Sequence, residues 1–394
     1  GVIAANAQGL SGIEKVLLEA NPALDLLGAC ALPVVLAVEA GITLLYETEL
    51  TAAREGEEEC QITARGPYQE IALSGKYLID ATGNASLVQA LGGETEAALA
   101  AAGDEIYRLD EALSRTREDS AVSRLNSAAG GTPVDVGEEL RDLIARALDF
   151  SAATDGAFDI TLAPVSSAWG FTEDTYRVPE DAELALLLPC VGAEHVHLEE
   201  GTAVSLDQGT RIDLGAIAKG YASDWMAAIY QEHGITHGIV DLGGNTWVCG
   251  GNLEGEPWQI GIQDPARSAG ALAGILEASD AFAVTSGGYQ RYFEENGQLY
   301  HHIIDPATGR PAESGLTSVT VVADGAAGNG TMCDALSTAL FVMGEDRALE
   351  LWRSGVYDFD LILVTEDGRL LATAGIADRF RPDDSAGYAY EIVS

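Results

Sequence analysis

The sequence predicts an α+β fold of mixed sheets and helices. Three observations carry this expectation. Segments with helical and with strand periodicity interleave irregularly, without the regular alternation that builds a parallel βαβ series. Glycine turns separate most of them. The 394 residues, 47% of them hydrophobic, are enough to bury a sizeable core in two or more domains. No fixed-period repeat is visible.

The elements read as follows. Gly41 to Glu49 (GITLLYETE) has strand character and follows an Ala-rich apolar segment. Glu57 to Cys60 is an acidic turn. Glu70 to Asp80 alternates and then runs apolar, as a strand does, and ends in the turn Asp80-Ala-Thr-Gly-Asn84. Ala-rich helix is expected from about Glu94 to Leu113, with Ile106, Leu109 and Leu113 on one face. Glu138 to Thr154 is amphipathic helix, and Gly215 to His233 is helix opened by a glycine turn. Ile239 to Leu242 reads as a buried strand entering Gly243-Gly244-Asn245. Further strands are expected at Trp258 to Ile262, Ala283 to Thr285, Leu316 to Ala323 and Leu361 to Thr365, with a helix over Met332 to Met343.

The net charge of −41 is the unusual quantity. Such a surface repels nucleic acid phosphates and anionic lipid, so neither is an expected partner. A phosphate-bearing substrate would have to overcome that repulsion locally, through a divalent cation, a placed Lys or main-chain N–H groups. Solubility or salt adaptation explains the charge without any ligand. Cys30, Cys60, Cys190, Cys249 and Cys333 stand far apart with no C-x-x-C, so neither a disulfide framework nor a zinc site is expected. The longest apolar run, Cys30 to Val38, is too short to span a bilayer and contains Pro33. No signal peptide is visible.

Four local patterns have chemical content. In Met332-Cys-Asp-Ala-Leu-Ser-Thr338, helical spacing puts the oxygens of Asp334, Ser337 and Thr338 on one face. One carboxylate with hydroxyls suits Mg²⁺, which keeps water and substrate phosphates in its other positions. The competing reading is a capping box formed by Thr331 and Asp334. In Asp213-Leu-Gly-Ala-Ile-Ala-Lys-Gly-Tyr-Ala-Ser-Asp224, Gly215 opens a helix whose N-terminus and Lys219 suit an anion; a capped surface helix is the plainer alternative. In Tyr300-His301-His302-Ile-Ile-Asp305-Pro-Ala-Thr-Gly309-Arg-Pro311, the Asp-Pro-x-Thr-Gly stretch is a tight turn. The two histidines before it face opposite sides of a strand. His195 and His197 share a strand face without an obvious third ligand. In Asp155-Gly-Ala-Phe-Asp-Ile-Thr161, followed by Trp169-Gly-Phe171, a glycine turn with Phe158 and Asp159 either clamps an aromatic ring system or starts a strand with core aromatics. Gly243-Gly-Asn245 and Thr285-Ser-Gly-Gly-Tyr289 are turns that permit close approach of a ligand.

The order of these motifs is more telling than any one of them. A Ser-rich stretch from Leu113 to Asn126, then GAFDIT, WGF, DLGAIAKGYASD, DLGGN, TSGGY, YHHIIDPATGRP and CDALSTALFVMG closely resembles the ApbE-type FAD:protein FMN transferases, from about Arg108 to the C-terminus. The resemblance implies the ApbE-like fold over 96–394. It also implies an enzyme that cleaves FAD with Mg²⁺, releases AMP and joins FMN by a phosphoester to a Thr or Ser of an acceptor flavoprotein. By position it implies Asp334, Thr338 and the main-chain oxygen of Ala216 as metal ligands. Ser337 stands where some members have a second carboxylate. Asp213, Lys219, Ser286, the Ala157-Phe158-Asp159 turn and the Ile304 segment would bind FAD. Thr116 stands where many members carry a flavin-contacting aromatic. His302 matches an active-site histidine and is the candidate general base, with Asp213 its rival. Family members are commonly exported or lipid-anchored, and their acceptors are often subunits of membrane redox complexes.

Residues 1–95 do not match the family's usual opening and form an α/β extension. From about Ala37 to Gly93 they resemble part of an FAD-dependent oxidoreductase (AEAGITLLYETE, KYLIDATGNASLVQALGG) without a G-x-G-x-x-G fingerprint. The alternatives to a transferase are an FAD pyrophosphatase giving FMN and AMP, and a non-catalytic flavin-binding redox protein. No Ser/Thr-Gly-Ala-Thr acceptor stretch occurs in the chain, so self-modification is not expected.

Overall fold

The computed structural model describes residues 94–172, 175–252, 255–267 and 270–394, and the backbone of five strands between residues 34 and 75. The chain divides into two compact units, residues 1–104 with 229–235, and residues 105–228 with 236–394.

In the first unit, Val34–Val38 and Gly41–Leu45 form an antiparallel hairpin. Glu49–Glu55, Cys60–Arg65 and Glu70–Gly75 form an antiparallel three-stranded sheet. The single strand expected over Gly41 to Glu49 thus takes in the whole of the strand Gly41–Leu45 and the first residue of the next. The expected acidic turn at Glu57 and the Asp80–Asn84 turn lie outside the described residues. Helix α1, Glu94–Leu113, matches the expected range. Leu109 and Leu113 are buried, while Ile106 sits at the margin of their stripe and is 39% exposed.

The second unit is built on a seven-stranded sheet. Its spatial order is Ala389–Val393, Arg369–Thr373, Asp360–Thr365, Leu316–Asp324, Ala281–Gly287, Asn245–Cys249, Gly238–Asp241. Neighbours are antiparallel except the first pair, which is parallel. Leu316–Asp324 is rich in β-branched residues, and Val319, Val321 and Val322 are all buried, so both faces of this strand are covered. Ile362, Val322 and Leu370 pack with Ile262, Leu276 and Phe380 of a second, three-stranded sheet. The remaining helices are α2 (Ala121–Ser127), α3 (Glu138–Ala153), α4 (Ala163–Trp169), α5 (Asp181–Leu187), α6 (Ala218–Glu232), α7 (Asn329–Met343) and α8 (Glu345–Ser354).

Helix α7 lies on the strands Ala281–Gly287 and Leu316–Asp324. Eleven of its fifteen residues are buried, so it is an internal helix and not an amphipathic surface one. Leu336, Leu340 and Phe341 are essentially inaccessible, each contributing roughly 1.5–3 kcal/mol of burial. Any polar group on this helix is held rigidly.

Three expectations are corrected by the packing. Gly238–Asp241 is the sheet's edge strand, paired on one side only, and Ile239 is 46% exposed instead of buried. Helix α6 starts at Ala218, because Gly215 to Ile217 form a turn in which Gly215 N–H donates to Asp213 Oδ1. His195 and His197 do not share a strand: His195 sits in a 3₁₀ turn, and both rings bond the Asp207 carboxylate at 2.9 Å.

Candidate active site

Helices α6 and α7 meet through two glycines. A methyl group at Gly220 would overlap the Gly330 carbonyl oxygen and stand 2.6 Å from Asp334 Cβ. One at Gly330 would stand 2.7 Å from the Gly220 oxygen and 2.8 Å from the ring of Phe282. Only glycine permits so close a crossing. The approach lets Gly220 N–H donate to Asp334 Oδ2 at 2.8 Å. In a regular helix that N–H would donate to the carbonyl four residues back, which is Ala216. Among the described residues no main-chain donor reaches the Ala216 oxygen. A carbonyl acceptor is therefore open next to a carboxylate.

Asp334 is 3% exposed, and a buried carboxylate needs charge and hydrogen-bond compensation. Gly220 supplies one bond, and Lys219 Nζ lies 3.5 Å from Oδ1. Lys219 is itself half exposed and is the one lysine between residues 94 and 394. One turn beyond Asp334, Thr338 is partly exposed and Ser337 fully buried. Ser286 Oγ, at the end of the strand Ala281–Gly287, lies 2.8 Å from Ser337 Oγ and 3.3 Å from Thr338 Oγ1. Ser337 Oγ also donates to the Asp334 main-chain oxygen at 2.9 Å.

The capping-box reading of Thr331 and Asp334 does not hold. Helix α7 starts earlier, at Asn329, and its N-terminus is capped from outside the helix. Asp224 of α6 accepts from the N–H groups of Gly328, Gly330 and Thr331 and from the Thr331 hydroxyl. Burial pushes the Asp224 carboxyl up, and the Thr331 and Gly330 hydrogen bonds oppose that shift.

Asp213 leads into the same turn from the other side. Its Oδ2 pairs with Arg115 Nε at 2.7 Å, and Arg115 Nη1 donates to Ser167. Asp213 N–H donates to the Ile160 oxygen at 2.7 Å, which ties the Ala157-Phe158-Asp159 turn to Asp213. That turn is no strand start: Asp155 and Gly156 both have positive φ, 54° and 77°. Phe158 is 1% exposed and packs edge-on against Phe150, so its side chain belongs to the core. Asp159 Oδ1 accepts from Thr161 N–H and Oγ1, and burial raises its pKa. Thr116 is exposed beside Arg115, and its hydroxyl bonds Ser114.

The two histidines bond different segments. His301 Nε2 donates to the Ala312 oxygen, and its ring is edge-on to Phe341. His302 follows the strand Gln298–His301. Its Nδ1 meets the Arg291 carbonyl oxygen at 3.1 Å. A carbonyl only accepts, so Nδ1 carries the proton and Nε2 presents a lone pair. Burial lowers the His302 pKa to about 4, and the nearby positive charge of Lys219 acts in the same direction. Ile304 is buried with Val165, Trp169 and Phe171, so its side chain belongs to the core. Trp169 Nε1 donates to the Gly309 oxygen, which joins the Trp-Gly-Phe and Asp-Pro-Ala-Thr-Gly motifs in one cluster.

Lys219, Asp334, Ser337, Thr338 and Ser286 are thus gathered on one helix crossing, with Ala216 and Asp213 on the turn leading into it. Arg115, Gly220 and Asp224 are supporting residues that spacing alone did not single out. Among the described residues no three His, Cys, Asp or Glu side chains converge on a metal position. A cation here would rely on one carboxylate with hydroxyl and carbonyl oxygens, a donor set that suits Mg²⁺ and not Zn²⁺. No described helix is long and apolar enough to cross a membrane.

The ApbE family model matches residues 76–362. An FAD:protein FMN transferase of Treponema pallidum is 36% identical over 306 residues, covering 72% of this chain and 83% of the relative. One from Vibrio cholerae is 32% identical, covering 77% and 90%. Among solved structures, the ApbE protein of Thermotoga maritima superposes with a TM-score of 0.67 at 30% identity, covering 82% of this chain and 99% of its own. The apo flavinyl transferase ApbE of Pseudomonas stutzeri gives 0.64 at 27%, covering 85% and 98%. The α+β architecture read from the sequence is the architecture of these proteins, and the chain belongs to the ApbE family.

Proposed function

We propose that this protein is an FAD:protein FMN transferase: it cleaves FAD, releases AMP and joins FMN through a phosphoester to a Thr or Ser of an acceptor flavoprotein. The observation that supports it most is the Ala216 carbonyl, relieved of its helical donor and set beside Asp334 and Lys219. Those oxygens, with Thr338, would hold Mg²⁺. Bound there, the cation would neutralise pyrophosphate oxygens. Lys219 adds positive charge at the same place, which a chain of net charge −41 needs in order to admit FAD. Asp213, Thr116, Asp159 and the main chain at Ala157, Phe158 and Ile304 would position the flavin nucleotide. His302 Nε2 would take the proton of the acceptor hydroxyl as its oxygen attacks the phosphorus of the FMN half. The bond from that phosphorus to the bridging oxygen then breaks, and AMP leaves with that oxygen.

Residues 1–95 are proposed as a separate oxidoreductase-like segment without a catalytic part, and 96–394 as the transferase. A subunit of a membrane redox complex is the first acceptor to test. The decisive experiment is intact-mass analysis of candidate acceptors incubated with the protein, FAD and MgCl₂. An acceptor that gains one FMN, with AMP released and the reaction stopped by chelator, fits the proposal. Free FMN with an unmodified acceptor would make the protein a pyrophosphatase. FAD returned intact from a yellow, reducible protein would make it a flavin carrier.

A further inference from the structure

The hydroxyl cluster behind the proposed cation site has only one consistent arrangement of protons. Each hydroxyl carries one proton and two lone pairs. The Ser337 proton is spent on the Asp334 main-chain oxygen. Ser286, 2.8 Å away, must therefore donate to Ser337. With its own proton spent, Ser286 accepts at its remaining contact, and Thr338 donates to it at 3.3 Å. The protons run inward along one line, Thr338 to Ser286 to Ser337 to the helix backbone.

Resting on the Mg²⁺ reading above, we propose that Ser286 and Ser337 are positioning residues that turn the Thr338 proton inward and leave its oxygen lone pairs for a hard divalent cation. Ser337 is fully buried and both its contacts are within the protein, so it is not itself a ligand. The cation then meets a single carboxylate, Asp334, and an oriented hydroxyl. Without the relay the Thr338 proton is free to rotate toward the cation and oppose it.

The test is direct Mn²⁺ binding in the presence of FAD, read from the EPR signal of free Mn²⁺, on the intact protein and on Ser286→Ala, Ser337→Ala, Ser286→Thr and Asp334→Asn. The loss of one orienting hydrogen bond predicts about three- to tenfold weaker Mn²⁺ binding in Ser286→Ala and in Ser337→Ala, although neither side chain touches the cation. Ser286→Thr should restore it. Binding that is unchanged in both alanine variants while Asp334→Asn abolishes it overturns the relay and leaves the cation site standing. Binding that survives Asp334→Asn overturns the cation site and the relay with it.

Discussion

Gly220 gives its amide proton to Asp334, a residue 114 positions away, instead of to Ala216 in its own turn. That exchange opens a carbonyl and fixes a carboxylate with one bond. A methyl group at residue 220 would press on both Gly330 and Asp334. Gly220→Ala is therefore expected to lower stability by about 1–3 kcal/mol in chemical denaturation, as overpacking does, and to abolish FMN transfer. Wild-type transfer rates in this variant would mean that the crossing is not part of the site.

Asp334→Asn keeps an oxygen for Gly220 and removes the charge that faces Lys219. The fold should survive, since circular dichroism and the thermal midpoint depend on the retained hydrogen bond. FMN transfer should fall at least about a hundredfold, as for removal of one group that stabilises transition-state charge. The measurement is initial rate against MgCl₂ concentration, and a variant with the wild-type curve would remove Asp334 from the metal set.

Lys219 is the one lysine between residues 94 and 394, so amine chemistry reads this site with little background. Lys219→Met should lower kcat/KM for FAD by about 10²–10³, with partial recovery in Lys219→Arg, because position as well as charge matters for a phosphate. An amine-reactive probe should inactivate the protein and label a peptide containing Lys219. FAD with Mg²⁺ should protect that peptide.

His302 gives the pH dependence. Burial holds its folded pKa at about 4, below the ordinary histidine value of 6.5. The unfolded chain thus binds a proton first as pH falls, and the folded state loses stability between about pH 6.5 and 4. Above that window the ring is neutral and its Nε2 can accept a proton. The expected kcat/KM profile for the free enzyme is flat with respect to this group down to about pH 5 and falls below it. His302→Gln should lower the rate about 10²–10⁴-fold and remove this limb. A limb that persists in His302→Gln would assign the base to another group, with Asp213 the first to test.

Some of this was legible in the sequence because it is local. Asp334 and Thr338 lie four apart on one helix, where helical periodicity alone places them, and Lys219 follows the glycine turn that opens another. The tight turn at Asp305 follows from turn chemistry in the same way. The supporting residues were not legible. Gly220 to Asp334, Asp224 to Thr331 and Arg115 to Asp213 join distant segments, and nothing in local spacing marks such partners. Ile239 departs from the expected burial for a related reason. A short apolar run has the same composition in a central strand and at an edge, and only the pairing distinguishes them. The glycine turn before Phe158 left two readings open, a ring clamp or core aromatics, and its side chain packs in the core.

The cap that Asp224 places on α7 also has a consequence in time. During synthesis, α6 is made about a hundred residues before the helix whose first turn it completes. Until residues 328 to 338 have been made and docked, α7 lacks its cap, Asp334 lacks the Gly220 donor, and no single segment of the chain carries the site. A nascent or partly unfolded polypeptide therefore has no means of consuming FAD. Catalytic competence is a property of the finished crossing of α6 and α7.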